Sequence, residues 1–133
     1  MSNLDRGTRL HVKEVISLLW IVVMFSMVFA DILGFITPGS LQEMMTGYAG
    51  KMKITQSMLF IFAILLEIPI AMIFLSRVLK KALNRILNIA ASIITIVFVI
   101  AGGSTTLHYI FFASIETVCM LAIIVMCIKW KEE

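Results

Sequence analysis

The sequence predicts an all-α membrane protein: an up-down-up-down bundle of four transmembrane helices with a short amphipathic helix in the first outer loop. Three observations predict it. The 133 residues are 61% hydrophobic and only 14% charged, a balance far from that of soluble domains. Four apolar runs, at about 15–36, 57–79, 85–101 and 107–128, each approach the roughly 20 residues needed to cross the hydrocarbon. The connections after the second and third runs are too short for anything but antiparallel neighbours. A single transmembrane domain over residues 1–133 follows.

The basic residues orient the bundle. Of the 11 Lys and Arg, three precede the first run, four cluster at the second connection (Arg77, Lys80, Lys81, Arg85) and two end the chain, leaving only Lys51 and Lys53 for the other side. The positive-inside rule then places both termini in the cytoplasm, in the inner membrane of a prokaryote. The net charge of +3 reads as orientation and contact with anionic lipid, not as a nucleic-acid footprint.

The first helix follows a charged leader (Asp5, Arg6, Arg9, Lys13, Glu14). Its apolar core is too long for a signal peptide and no small-x-small cleavage site follows, so it is expected to stay as a signal anchor. Trp20, Met24, Met27, Asp31 and Gly34 share one face of it. Pro38-Gly39 stops the helix. Ser40 then stands in capping-box spacing to Glu43, and Leu41, Met44, Met45 and Tyr48 repeat at helical spacing. That segment reads as an interfacial anchor or as a lid over an outward cavity.

The second helix carries Glu67 halfway along, followed by Pro69, which frees a carbonyl about four residues upstream and is expected to kink the helix beside the acid. Asn84 is the expected N-cap of the third helix, whose stripe Asn84, Asn88, Ser92 and Thr95 suits polar contacts between helices. The fourth helix opens with His108 and places Tyr109, Phe112, Glu116, Cys119 and Ile123 on one face. Cys119 and Cys127 lie about 12 Å apart along that helix, so they do not pair and read as apolar packing. Trp130 reads as an interface anchor.

Glu67 and Glu116 each fall near mid-membrane, where a carboxylate costs about 2.5 kcal/mol or more and normally faces a partner, a cavity or water. Asp31 lies about 9 Å to the outer side of its helix centre. No basic residue sits inside a span to neutralise them, so two facing glutamates would hold a proton or a bound cation near neutral pH. The structural alternative has each carboxyl hydrogen-bonded across the bundle to Ser92 or Thr95. The expected proton, cation or ligand site is therefore Glu67, Glu116 and Asp31. Trp20, Met24, Ser92, Thr95, His108, Tyr109 and Phe112 are its supporting or lining residues. No catalytic set, cofactor motif or metal spacing accompanies them.

Several strings resemble a known family: Ser17-Leu18-Leu19-Trp20 leading to Ala30-Asp31-Ile32-Leu33-Gly34 and Pro38-Gly39; Glu67-Ile68-Pro69-Ile70-Ala71-Met72; Leu75-Ser76-Arg77-Val78-Leu79; Asn84-Arg85 with Asn88; and Glu116. Over nearly the whole chain they are similar to small four-helix prokaryotic membrane proteins known only as a domain of unknown function, with a layout distantly similar to the DoxX-like proteins. The resemblance implies the four-helix layout and no activity. An intramembrane glutamate in so short a chain also resembles the small multidrug transporters, although here the acids sit on the second and fourth helices.

The expected function is binding of a proton, a cation or a cationic or lipophilic small molecule, most concretely by a small proton-coupled transporter. A second copy of the chain would then supply the other gate. The rival expectations are an isomerase-like intramembrane enzyme acting on a lipid, and a non-catalytic accessory protein whose acids meet a partner's lysine or arginine. Membrane lipids are partners in every version.

Overall fold

The computed structural model describes residues 11–130; the leader charges Asp5, Arg6 and Arg9, and Lys131 at the end, lie outside the described residues. Apolar segments whose backbone polar groups must be satisfied internally form helices. The order is α1 (Val12–Ile36), α2 (Ser40–Met45), β1 (Tyr48–Ala49), β2 (Met52–Lys53), α3 (Gln56–Val78), α4 (Lys81–Ala101) and α5 (Leu107–Lys129). Four of these helices, α1, α3, α4 and α5, are long and apolar enough to cross a membrane.

Each helix starts and stops for a local reason. The His11 side chain accepts from the Lys13 amide at the start of α1, and the Thr55 hydroxyl accepts from the Met58 amide (3.1 Å) at the start of α3. Gly39, in the left-handed region at φ 87°, is the residue before α2. Ser40 is thus the first helical residue, and no side-chain capping box forms with Glu43. Tyr48 leaves the helical face expected for it: the chain turns at Gly47 and Gly50, both at positive φ, to pair Tyr48 with Lys53 in a two-stranded hairpin.

Only Leu79 and Lys80 separate α3 from α4. The third long helix therefore begins at Lys81, a turn earlier than expected, and Asn84 is not its N-cap. Asn84 is fully buried inside the first turns of α4, where its Nδ2 donates to the carbonyls of Ser76 (2.7 Å) and Leu79 (3.3 Å). It closes the carbonyl-rich end of α3, whose orphan acceptors need donors such as this amide.

α1 packs against α3 and α5, and α4 packs against the same two; the backbones of the diagonal pairs α1/α4 and α3/α5 do not touch. The start of α1 lies beside the end of α3, where Ser17 Oγ donates to the Ile73 carbonyl (2.8 Å). The start of α4 lies beside the end of α5, where Arg85 Nε donates to the Cys127 carbonyl (2.7 Å).

Packing is uneven along the bundle. The buried residues of α3 (Pro69, Met72, Ser76) all fall in its second half, and those of α5 (Glu116, Met120, Ile123, Cys127) run from just before its midpoint to its end. The bundle is therefore tight at the end that holds the start of α1 and the end of α5, and loose at the end that holds α2 and the hairpin.

Candidate functional site

At the tight end the centre is polar but satisfied. Trp20 on α1 and Asn88 on α4, on diagonally opposed helices, meet across the axis: Trp20 Nε1 donates to Asn88 Oδ1 at 2.7 Å. Ser76 Oγ donates to the same oxygen at 3.1 Å. Asn88 Nδ2 in turn donates to the Asn84 carbonyl (2.9 Å) and to Asn84 Oδ1. Four buried side chains from three helices thus share one connected network. Nearer the end, Arg77 Nε donates to Ser17 Oγ at 3.0 Å. This end holds a lock.

The loose end holds a cavity of about 190 Å³. Two acids and a phenol line it, Asp31, Glu116 and Tyr109, with apolar walls that include Met27, Phe62 and Phe98. Phe62 and Phe98 meet edge to face with centroids 5.6 Å apart. The Tyr109 hydroxyl donates to the Val99 carbonyl at 2.6 Å, holding the first turn of α5 against the last turn of α4. Above it lies a wider cavity of about 590 Å³. Ala30, Asp31, Gly102 and Tyr109 border both. Ser40, Glu43 and Met44 of α2 and His108 at the start of α5 line the outer one.

Glu116 is the deep member: 2% exposed, ten residues into the 23 of α5, about 13 Å along the axis from its start. Asp31 lies about 7.5 Å from the end of α1 and is the open member. Ser92 and Thr95 on the adjoining α4 are buried at 0% and 1%, and neither hydroxyl has a hydrogen-bond partner among the described residues. By helical rise Ser92 lies about as far from the loop end as Glu116 does.

Glu67 is not part of this site. Depth is as the sequence predicts, since it is the twelfth of the 23 residues of α3, but its side chain is exposed and lines none of the cavities around Asp31 and Glu116. The inward residues Pro69, Met72 and Ser76 lie about 140–180° around the helix from it. The expected facing pair of glutamates is therefore corrected to Asp31 with Glu116. The carbonyl freed by Pro69, that of Leu65, lies on the inner side as well, about 160° from Glu67, so it adds no oxygen beside that acid.

The remaining expected residues divide between the two ends. Trp20 belongs to the lock. Tyr109 and His108 line the cavities, and His108 Nε2 lies 3.5 Å from Thr106 Oγ1. Met24 is half-buried and gives its place on the wall to Met27. Phe112 is half-buried, packs edge to face on Phe111 at 5.7 Å and borders neither cavity around the acids. Phe62, Leu66 and Phe98 were not singled out in the sequence, because one apolar residue among many on an apolar helix carries no positional signal.

Among the described residues no three His, Cys, Asp or Glu side chains gather in a metal-binding group. The chemistry on offer is two carboxyl groups and a phenol in an apolar wall that opens toward the loops. That suits recognition of positive charge on a partly apolar body.

The chain belongs to a family of unknown function, DUF6326, whose sequence pattern matches residues 7–133. The match gives no link to the DoxX-like proteins. No curated protein and no solved structure is significantly similar to the chain.

Proposed function

We propose that this is a multi-pass protein of a prokaryotic cytoplasmic membrane, up-down-up-down with both termini inside. Its outward cavity binds a small organic cation at Asp31 and Glu116, most concretely as the loading site of a proton-coupled transporter. The support comes from the lining itself: two acids, aromatic walls and, among the described residues, no Lys, Arg or His around the inner cavity. A cation entering it meets opposite charge in a medium of low dielectric, where the attraction is several times stronger than in water. Phe62, Phe98 and Tyr109 present ring faces and edges to its apolar part.

Proton coupling follows from competition. A proton and a cation seek the same carboxyl oxygens, so loading one releases the other. The satisfied Trp20–Asn88 network closes the far end while the loop end is open, which is one half of an alternating-access cycle. α2 and the hairpin, beside the outer cavity, act as its interfacial lid.

The test is titration of the purified protein in nanodiscs with tetraethylammonium and with the bulkier tetraphenylphosphonium. Binding should weaken as the medium is acidified, and Glu116→Gln or Asp31→Asn should each raise Kd by about tenfold, equal to about 1.4 kcal/mol. Unchanged binding in the double variant would reject the carboxylate site. Binding without counterflow of protons in proteoliposomes would leave a receptor in place of a transporter.

A further inference from the structure

α3 is the least buried of the four long helices, and Glu67 stands at the centre of its outward face. Phe60 and Phe74, one heptad to either side, are 67% and 66% exposed, and Ala63 and Ala71 lie one turn above and below. Hydrocarbon offers this carboxyl no hydrogen-bond partner. The headgroups begin about 15 Å away, half the thickness of the hydrocarbon core, beyond the reach of a glutamate side chain. Something polar must therefore meet it at mid-membrane.

We infer that the outward face of α3 is the contact between two copies of this chain, with Glu67 of one copy hydrogen-bonded to Glu67 of the other. A partner chain with a lysine or arginine at the same depth would have to carry its own costly charge into the bilayer. A second copy needs nothing new. The charge bias along the sequence gives both copies the same orientation, so a two-fold axis along the membrane normal brings Glu67 opposite Glu67 at one depth.

The chemistry is self-complementary, because a neutral carboxyl both donates and accepts. The surface is too. Alanines one turn on each side let the helices come close enough for short side chains to meet, as small residues do at membrane interfaces, and the phenylalanines close the ends of the contact. The pairing does not depend on what the cavity binds, since α3 presents the opposite side of the helix to Asp31 and Glu116.

Oxidative cross-linking of the full chain in its native membrane tests this. In a background of Cys119→Ser and Cys127→Ala, Ala63→Cys or Ala71→Cys should give a band at twice the monomer mass. Ile94→Cys, on the exposed face of α4, should give none. Two copies with different tags should both appear in the cross-linked band. Energy transfer between labelled copies in liposomes should show Glu67→Gln dimerising as the parent does, because an amide also donates and accepts, and Glu67→Leu dimerising about tenfold more weakly. No cross-link at either alanine, a band that pairs this chain with a different one, or equal dimerisation of Glu67→Leu would each overturn the inference.

Discussion

Replacing Asn88 by alanine should destabilise the bundle more than any other single polar-to-alanine change in its interior. Its Oδ1 accepts from Trp20 Nε1 and Ser76 Oγ, and its Nδ2 donates to Asn84. Truncation strands three buried groups at once: the indole N–H, the serine hydroxyl and Asn84 Oδ1. Side-chain hydrogen bonds between membrane helices are worth about 0.6 kcal/mol on average and up to about 1.7, so three give roughly 2–5 kcal/mol. The lower figure already shifts the folded-to-unfolded ratio about 30-fold.

The assay is reversible unfolding in mixed micelles, followed by the fluorescence of Trp20 against a Trp130→Phe background. A double-mutant cycle with Ser76→Ala, which leaves the Trp20 reporter in place, should give a coupling of about 0.5–1.7 kcal/mol with Asn88→Ala. Parental stability in Asn88→Ala, or zero coupling in the cycle, would refute the lock at the tight end.

Three further outcomes are expected. Thr95→Val should leave stability unchanged or raise it by up to about 1 kcal/mol in the same assay, because the hydroxyl it removes has no partner among the described residues; a larger loss would mean that it is bonded. Thr55→Ala should cost about 1 kcal/mol by removing the cap on Met58, read as faster amide exchange in the first turn of α3. An impermeant thiol reagent applied from outside the cell should label cysteines introduced at Lys51 or Ser104 and spare one at Lys80, the reverse pattern inverting the orientation.

How far the chain could be read varied with the kind of signal each helix carries. The spans followed from apolar runs and length, and their ends moved by only a few residues. α4 was legible in rotation as well: Asn84, Asn88, Ser92 and Thr95 form a polar stripe on an apolar cylinder, and all four are buried. α3 was not. It is apolar on every side, so depth could be counted along the sequence but the azimuth of Glu67 could not. On α5 the Glu116 face turned inward as read, because Ile123 lies on it and packs in the core. Asn84 was misjudged for a different reason: capping logic is local, whereas its partners come from the preceding helix.

Arg85 performs two tasks that an engineer would want separate. Its guanidinium belongs to the basic cluster on which the proposed orientation rests, and in the folded protein it donates to the Cys127 and Ile128 carbonyls at the end of α5. Arg77 is similarly tied to Ser17. Attempts to invert the protein by stripping charge from this side should therefore spare both arginines and work through Lys80, Lys81 and Lys129. Otherwise a chain that fails to assemble would be mistaken for one that has flipped.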